Sequence, residues 1–122
     1  MRSFLALIAL LLIGAAGWIA AATPTQKAVE ISTTVGAYAT QNFNQAFLSG
    51  EPGRAIVIGD GRTYLGVYVY DSLGNCIEKD DVNPSNTRDD IACVWNPLKS
   101  DIYGIEVVNL GRFPNTYLLT CK

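Results

Sequence analysis

The chain contains no histidine among its 122 residues. This absence excludes the commonest general base, the Ser-His and Cys-His nucleophile pairs, and zinc sites built on imidazole. No Ser-x-x-Lys arrangement takes their place. We therefore predict no catalytic residues, no required cofactor and no enzyme activity. A small hydrolase that uses paired carboxylates is the least favoured alternative.

Basic residues are too few and too scattered for a nucleic-acid-binding surface. The chain has 9 Lys and Arg against 11 Asp and Glu, which gives a formal net charge of −2. Nucleic acid is therefore excluded as an expected partner. Beyond the N-terminal segment there is also no apolar run long enough to cross a membrane.

The first 22 residues have the composition of an export signal. Met1-Arg2 gives a positive start, residues 4–13 form an apolar run, and Ala20-Ala21-Ala22 precedes Thr23 as a small-residue cleavage site. We predict a signal peptide over 1–22 and a secreted or periplasmic product of about 100 residues with no further membrane contact. The alternative is a retained anchor, since residues 4–22 are nearly long enough to span a bilayer.

The three cysteines point to a disulfide, because an exported chain enters an oxidising compartment. Three pairings are open. We favour Cys76 with Cys93, because both lie in predicted strands that flank one polar loop, and closing that loop would stabilise the fold by about 3 kcal/mol. Cys121 shares a phase with Tyr117 and Leu119 and is predicted to be a small buried residue.

Apolar residues recur at every second position after the leader, which is the period of a β-strand. The clearest run is 63–71, TYLGVYVYD, where aliphatic residues occupy one phase and tyrosines the other. The polar residues 72–75, SLGN, then turn the chain into a return strand. The same alternation predicts further strands at 43–47, 54–58, 91–95, 103–107 and 117–121.

These short strands, with turn signals about every 8–12 residues, predict an all-β antiparallel sandwich of seven to eight strands over residues 42–122. Residues 23–41 are predicted to be a lead-in with at most one short strand, near Val29. Residues 43–47 also fit a helix, because Phe43 and Phe47 are i,i+4 neighbours, but the Asn-rich composition favours a strand.

Three motifs carry a family resemblance. They are the hairpin "YVYD-x-x-GN" over 68–75, the strand end Trp95-Asn96-Pro97, and the final strand around Tyr117. Over residues 42–121 the chain resembles the bacterial pre-peptidase C-terminal (PPC) domain family.

The resemblance implies a jelly-roll-like β-sandwich that is an appendage of exported enzymes and not itself catalytic. It further implies that calcium or an extracellular polymer such as collagen is a candidate ligand, and that an exported enzyme is a candidate partner. Family members often carry acidic residues at the entry to the long strand, whereas this chain has Arg62, Tyr64 and Gly66 there.

The loop 80–90 is a candidate calcium site because it is dense in side-chain oxygen atoms, which calcium prefers as ligands. It lacks the spacing of an EF-hand, and the competing interpretation is a solvated loop that uses its acids for turn hydrogen bonds. The candidate ligands are Asp80, Asp81, Asn83, Asp89 and Asp90.

The tyrosines of the clearest strand form a candidate ligand face. Tyr64, Tyr68 and Tyr70 share the phase opposite Leu65, and tyrosine offers both apolar area and a hydroxyl to a polymer or protein surface. The competing interpretation is that cross-strand packing occupies these rings. Trp95 lies in phase with Ile91 and is predicted to be a core residue.

Overall fold

The computed structural model describes residues 27–81 and 89–122. They form eight antiparallel strands in two four-stranded sheets and contain no helix. The predicted all-β class is confirmed, and the helical alternative for 43–47 is wrong. In chain order the strands are β1 Val29–Val35, β2 Thr40–Phe47, β3 Gly53–Ile58, β4 Leu65–Tyr70, β5 Cys76–Asp80, β6 Asp90–Trp95, β7 Asp101–Asn109 and β8 Asn115–Cys121.

The strand order defines a jelly roll. The first sheet runs β1-β8-β3-β6 and the second runs β2-β7-β4-β5. Consecutive strands alternate between the sheets in most cases, so most hydrogen-bonded neighbours are distant in sequence. Each sheet ends in two edge strands, and the edge strands β5 and β6 lie next to each other on one open side of the sandwich.

The core lies between the sheets and is built from the aliphatic phase of each strand. Leu65, Val67 and Val69 of β4 are fully buried, and so are their counterparts on β7 and β8. At one end of the core Phe47, Trp95 and Tyr103 pack as an aromatic cluster, with Phe47 and Trp95 ring centroids 4.6 Å apart in an edge-on arrangement. Trp95 is thus a core residue, as its phase predicts.

Residues 23–41, where the sequence pattern allows one short strand near Val29, contain strand β1, Val29–Val35. Strand β1 pairs with β8 along its whole length, from Val29 opposite Cys121 to Val35 opposite Asn115. The sandwich described by the structure therefore includes residues that the pattern assigns to a lead-in. The inward phase of β1 includes the polar Thr33, which weakens its alternation as a sequence signal.

The predicted hairpin between β4 and β5 is present. The Asp71 amide donates to the Asn75 carbonyl, the Gly74 amide donates to the Asp71 carbonyl, and Gly74 adopts a positive φ of 89°. The Asp71 carboxylate accepts hydrogen bonds from the amides of Leu73 and Asn75. A left-handed residue and an Asx-type turn explain why SLGN follows the strand.

The predicted Cys76–Cys93 disulfide is not present, and all three cysteines are free. Cys93 faces the core and its thiol donates to the Val67 carbonyl, 3.5 Å away. Cys76 is exposed on the edge strand β5, where its thiol contacts the Glu78 carbonyl at 3.6 Å. The two side chains occupy different environments, inside and outside the sandwich, which the sequence spacing does not reveal. Within residues 27–81 and 89–122 no helix is long and apolar enough to span a bilayer.

Candidate functional site

The candidate ligand face lies on the outer side of the second sheet. Because side chains alternate along β4, burying its aliphatic residues leaves Tyr68 and Tyr70 on the outer surface, each half-buried. Strand β7 lies beside β4 and β2 beyond it, and both contribute their own outward residues. We call this surface the tyrosine face and define it by Asn42, Asn44, Tyr68, Tyr70, Gly104 and Glu106.

Two rows of cross-strand neighbours make up the tyrosine face. Asn42, Glu106 and Tyr68 form one row, and a second row places Asn44, Gly104 and Tyr70 side by side. Gly104 has no side chain, so the surface between the Asn44 side chain and the Tyr70 ring is an open glycine floor. A Cβ at this position would lie 3.8 Å from the Tyr70 Cβ, which is ordinary contact distance, so the space above it is open.

Each tyrosine hydroxyl on this face donates to a carboxylate. The Tyr68 hydroxyl donates to Asp81 Oδ2 at 2.8 Å, and the Tyr70 hydroxyl donates to Glu106 Oε1 at 3.0 Å. Burial and the bond to Asp81 raise the pKa of Tyr68 to about 12. The hydrogen bond to Glu106, followed by burial, also raises the pKa of Tyr70. The two hydrogen bonds fix the orientation of both rings.

Gly66 provides the space for the Tyr68 ring. A Cβ on Gly66 would lie 3.3 Å from a ring carbon of Tyr68 and 3.3 Å from the Asp81 Cβ. The ring therefore extends back along its own strand, over Gly66 and toward Asp81. Tyr68 and Tyr70 are each of intermediate burial, so part of each side chain stays exposed.

The tyrosine face combines aromatic rings with polar side chains. Fixed aromatic rings offer apolar area, while carboxylate and amide oxygens beside them accept hydrogen bonds from a ligand.

The structure does not place all three predicted tyrosines alike. Tyr64 precedes β4, in the connection from β3, and its carbonyl accepts the Leu110 amide at 3.0 Å. It is half-buried but lies outside the paired part of the strand. Tyr68 and Tyr70 are therefore the two tyrosines that the second sheet brings together.

Four residues of the tyrosine face were not predicted from the sequence. Glu106 and Gly104 occupy the outward phase of β7, between the buried Tyr103, Ile105 and Val107. This alternation could have marked them as outward-facing. It could not show that β7 lies next to β4, nor that Asn42 and Asn44 of β2 complete the rows.

The predicted calcium ligands are engaged in separate hydrogen bonds. Asp80 Oδ2 accepts the Ala92 amide at 2.9 Å, and Asp81 accepts the Tyr68 hydroxyl. Asp89 Oδ2 accepts the Gly61 amide at 2.6 Å and the Asn115 side-chain amide at 3.1 Å. These bonds serve the surrounding strands and turns.

The remaining predicted calcium ligands are Asp90, which begins β6, and Asn83, which lies outside the described residues. Among residues 27–81 and 89–122 no three acidic or cysteine side chains are grouped so as to hold a metal. Calcium binding by the loop stays a prediction. Measuring the melting temperature with added calcium and with a chelator tests this prediction. Free calcium at 100 times the Kd of the site would stabilise the folded protein by about 2.7 kcal/mol.

Comparison with solved structures supports the fold. The structure is similar to the crystal structure of the pre-peptidase C-terminal domain of collagenase from Bacillus anthracis, with a TM-score of 0.64 and 16% sequence identity. The match covers 83% of this chain and 99% of that domain. No family model matches the chain. No curated protein matches it in sequence. The likeness establishes a β-sandwich of the PPC type as the fold.

Proposed function

We propose that this chain is an exported, non-catalytic β-sandwich module that binds an extracellular polymer or a protein surface through the tyrosine face. The observation that carries the proposal is the pair of half-buried rings, Tyr68 and Tyr70, held beside carboxylates and an open glycine floor on one sheet. The lack of histidine supports a role without catalysis. The leader supports secretion or a periplasmic location, where an exported enzyme is a candidate partner.

The collagenase domain makes collagen the first polymer to test, and insoluble polysaccharides are the second. Retention of the purified protein on each polymer gives an apparent affinity. We expect Tyr68→Ala and Tyr70→Ala each to weaken retention about thirtyfold, since an aromatic residue at the centre of a contact contributes about 2 kcal/mol. Tyr38→Ala is the matched control, because Tyr38 is an exposed tyrosine in the turn after β1.

A second variant separates binding from folding. Gly104→Gln places a long side chain over the open floor, and its Cβ meets no atom closer than 3.8 Å. We expect this variant to keep its melting temperature and lose retention. Full retention by Gly104→Gln and by both alanine variants, on every polymer that the parent protein binds, would contradict the proposal. Binding to none of the polymers tested would also count against it.

A further inference from the structure

A groove of about 640 Å³ lies on the open side of the sandwich where β5 faces β6. These strands are the edges of different sheets, and each has a hydrogen-bonded strand partner on one side only. The loop from Asn96 to Lys99 also lines the groove. The groove is separate from the tyrosine face, whose six residues do not line it.

The walls of the groove are apolar and exposed. Ile77 on β5 is 40% exposed, Val94 on β6 is 50% exposed, and Leu98 in the loop is 96% exposed. An apolar lining with polar groups at its edge is typical of a surface that a partner covers. The three side chains come from two strands and a loop, so they converge only in the folded protein.

The base of the groove is fixed by the aromatic cluster. Trp95 and Tyr103 both line it, with ring centroids 5.9 Å apart. The Tyr103 hydroxyl donates to the Lys99 carbonyl at 2.8 Å, which ties the loop that carries Leu98 to β7. The groove is therefore present before any ligand arrives, which lowers the entropic cost of binding.

One buried donor at this place lacks an acceptor. The indole Nε1 of Trp95 has no hydrogen-bond partner among the described residues, and the side chain is only 8% exposed. A buried donor without an acceptor is costly and native proteins rarely keep one. Because this nitrogen is closed to solvent, it belongs to the packed layer beneath the groove and is not itself a contact for a ligand in the groove.

The rim of the groove is acidic. Asp71 and Glu78 line the side formed by the β4–β5 hairpin, and the Asp71 carboxylate is held in place by the amides of Leu73 and Asn75. Lys99 is the basic residue of the lining, and its Nζ forms an ion pair with Asp101 Oδ2 at 3.6 Å. The rim therefore favours a ligand with positive charge next to its apolar groups.

We propose that this groove binds an extended peptide segment in which apolar side chains alternate with basic ones. A period of two turns the apolar side chains of such a segment toward Ile77, Val94 and Leu98 and leaves the basic ones near the acidic rim. Its backbone supplies carbonyl and amide groups to an edge strand, as in strand addition. The Ala92 amide of β6 already donates a hydrogen bond to Asp80 Oδ2. The peptide segment therefore lies toward the Val94 end of that strand.

Fluorescence of Trp95 tests the proposal directly. The chain has two tryptophans, Trp18 in the leader and Trp95, so the full chain carrying Trp18→Phe reports on the groove alone. The probe is the end-blocked peptide GKLKVKLG. Two matched peptides are the acidic GELEVELG and the polar GKSKTKSG. We expect GKLKVKLG to change Trp95 emission and to bind at least tenfold more tightly than either matched peptide.

Two surface variants identify the site. Val94→Lys and Leu98→Ser change exposed side chains and are expected to weaken binding of GKLKVKLG at least tenfold. Ile58→Lys is the matched control, because Ile58 is also 50% exposed and lies on β3, outside the groove. Equal affinity for all three peptides, no binding of any of them, or binding that survives both groove variants would overturn the proposal. The outcome is independent of the polymer experiment, which uses the tyrosine face.

Discussion

Two buried asparagines hold the connections at one end of the sandwich. The side-chain amide of Asn115 donates to the Thr63 carbonyl and to Asp89 Oδ2, both at 3.1 Å, and its oxygen accepts the Asp60 amide at 3.0 Å. Asn109 similarly donates to the Phe113 carbonyl at 2.7 Å. These residues satisfy backbone groups of irregular segments that no strand could pair.

Replacing Asn115 with alanine should destabilise the protein by about 1–3 kcal/mol, because several buried polar groups lose their partner together. Chemical denaturation followed by circular dichroism measures the free energy of unfolding. Asn44→Ala is the control, since Asn44 is exposed on β2 and such a change stays within about 0.5 kcal/mol. Equal stability of the two variants would show that the network has no net effect.

Gly53 is required by the indole that packs over it. Gly53 and Trp95 are cross-strand partners, and a Cβ at Gly53 would lie 2.8 Å and 2.9 Å from two ring atoms of Trp95 and 3.1 Å from Phe47. Both aromatic rings belong to the closely packed cluster at the end of the core. The glycine therefore sets the position of the ring at the base of the groove.

We expect Gly53→Ala to cost about 1–3 kcal/mol, the usual penalty for overpacking a core. The near-ultraviolet circular dichroism of the aromatic cluster should change as well. Gly36→Ala serves for comparison, because its Cβ would meet no atom closer than 3.8 Å. A Gly53→Ala protein with unchanged stability and unchanged aromatic signal would refute this account of the residue.

At the scale of the elements, the β4–β5 hairpin depends on a single side chain at its turn. The Asp71 carboxylate accepts three hydrogen bonds from the turn, from the amides of Leu73 and Asn75 and from the Asn75 side chain at 3.2 Å. These bonds, the Asn75 amide foremost, lower the pKa of Asp71. The hairpin positions β5, which forms one wall of the groove.

Asp71→Ala should loosen β5 without unfolding the sandwich, since β5 is an edge strand with β4 as its strand partner. We expect faster amide exchange for β5 and unchanged protection for β7. Asp71→Asn keeps one acceptor oxygen, so we expect its β5 amides to exchange at a rate between those of the parent protein and of Asp71→Ala. Because the pKa of Asp71 is lowered, its contribution is present above pH 3.8 and is lost as the pH falls further. Protection of β5 that does not respond to either substitution would argue against this role.

At the scale of the whole molecule, the fold buries thiols that an unfolded chain would expose. Burial raises the pKa of Cys121 to about 11, and burial together with the charges of Glu78 and Asp80 raises that of Cys93 to about 12. The ordinary thiol value is 9.0. The folded state therefore keeps these protons at pH values where the unfolded state releases them.

This difference predicts that stability falls in alkali. The contribution of both thiols is complete below pH 9.0 and decreases as the pH rises toward about 11 and 12. Measuring the free energy of unfolding between pH 7.5 and roughly 9 keeps the contribution of tyrosines small, because their ordinary pKa is 10.0. Cys93→Ala and Cys121→Ala should each flatten the slope. A slope that neither substitution alters would exclude this cause.

Much of the fold was predictable because strand periodicity is a local property. The alternation of Leu65, Val67 and Val69 with tyrosines identified both faces of β4. The inward-facing residues of β6, β7 and β8 could be predicted in the same way. Strand β1 was harder to predict, because the polar Thr33 interrupts the apolar residues of its inward phase. The disulfide prediction was wrong because spacing along the chain does not say which side of a sheet a thiol occupies.

The sequence by itself determined which residues of each strand face inward, since side-chain direction reverses at every residue whatever the strand's neighbours are. The tertiary structure decided which strands lie side by side. It placed Glu106 of β7 against Tyr70 of β4, and it brought the edge strands β5 and β6 together to form a groove. Pairing of this kind joins residues far apart in the chain, and it depends on how the two sheets close over their common core.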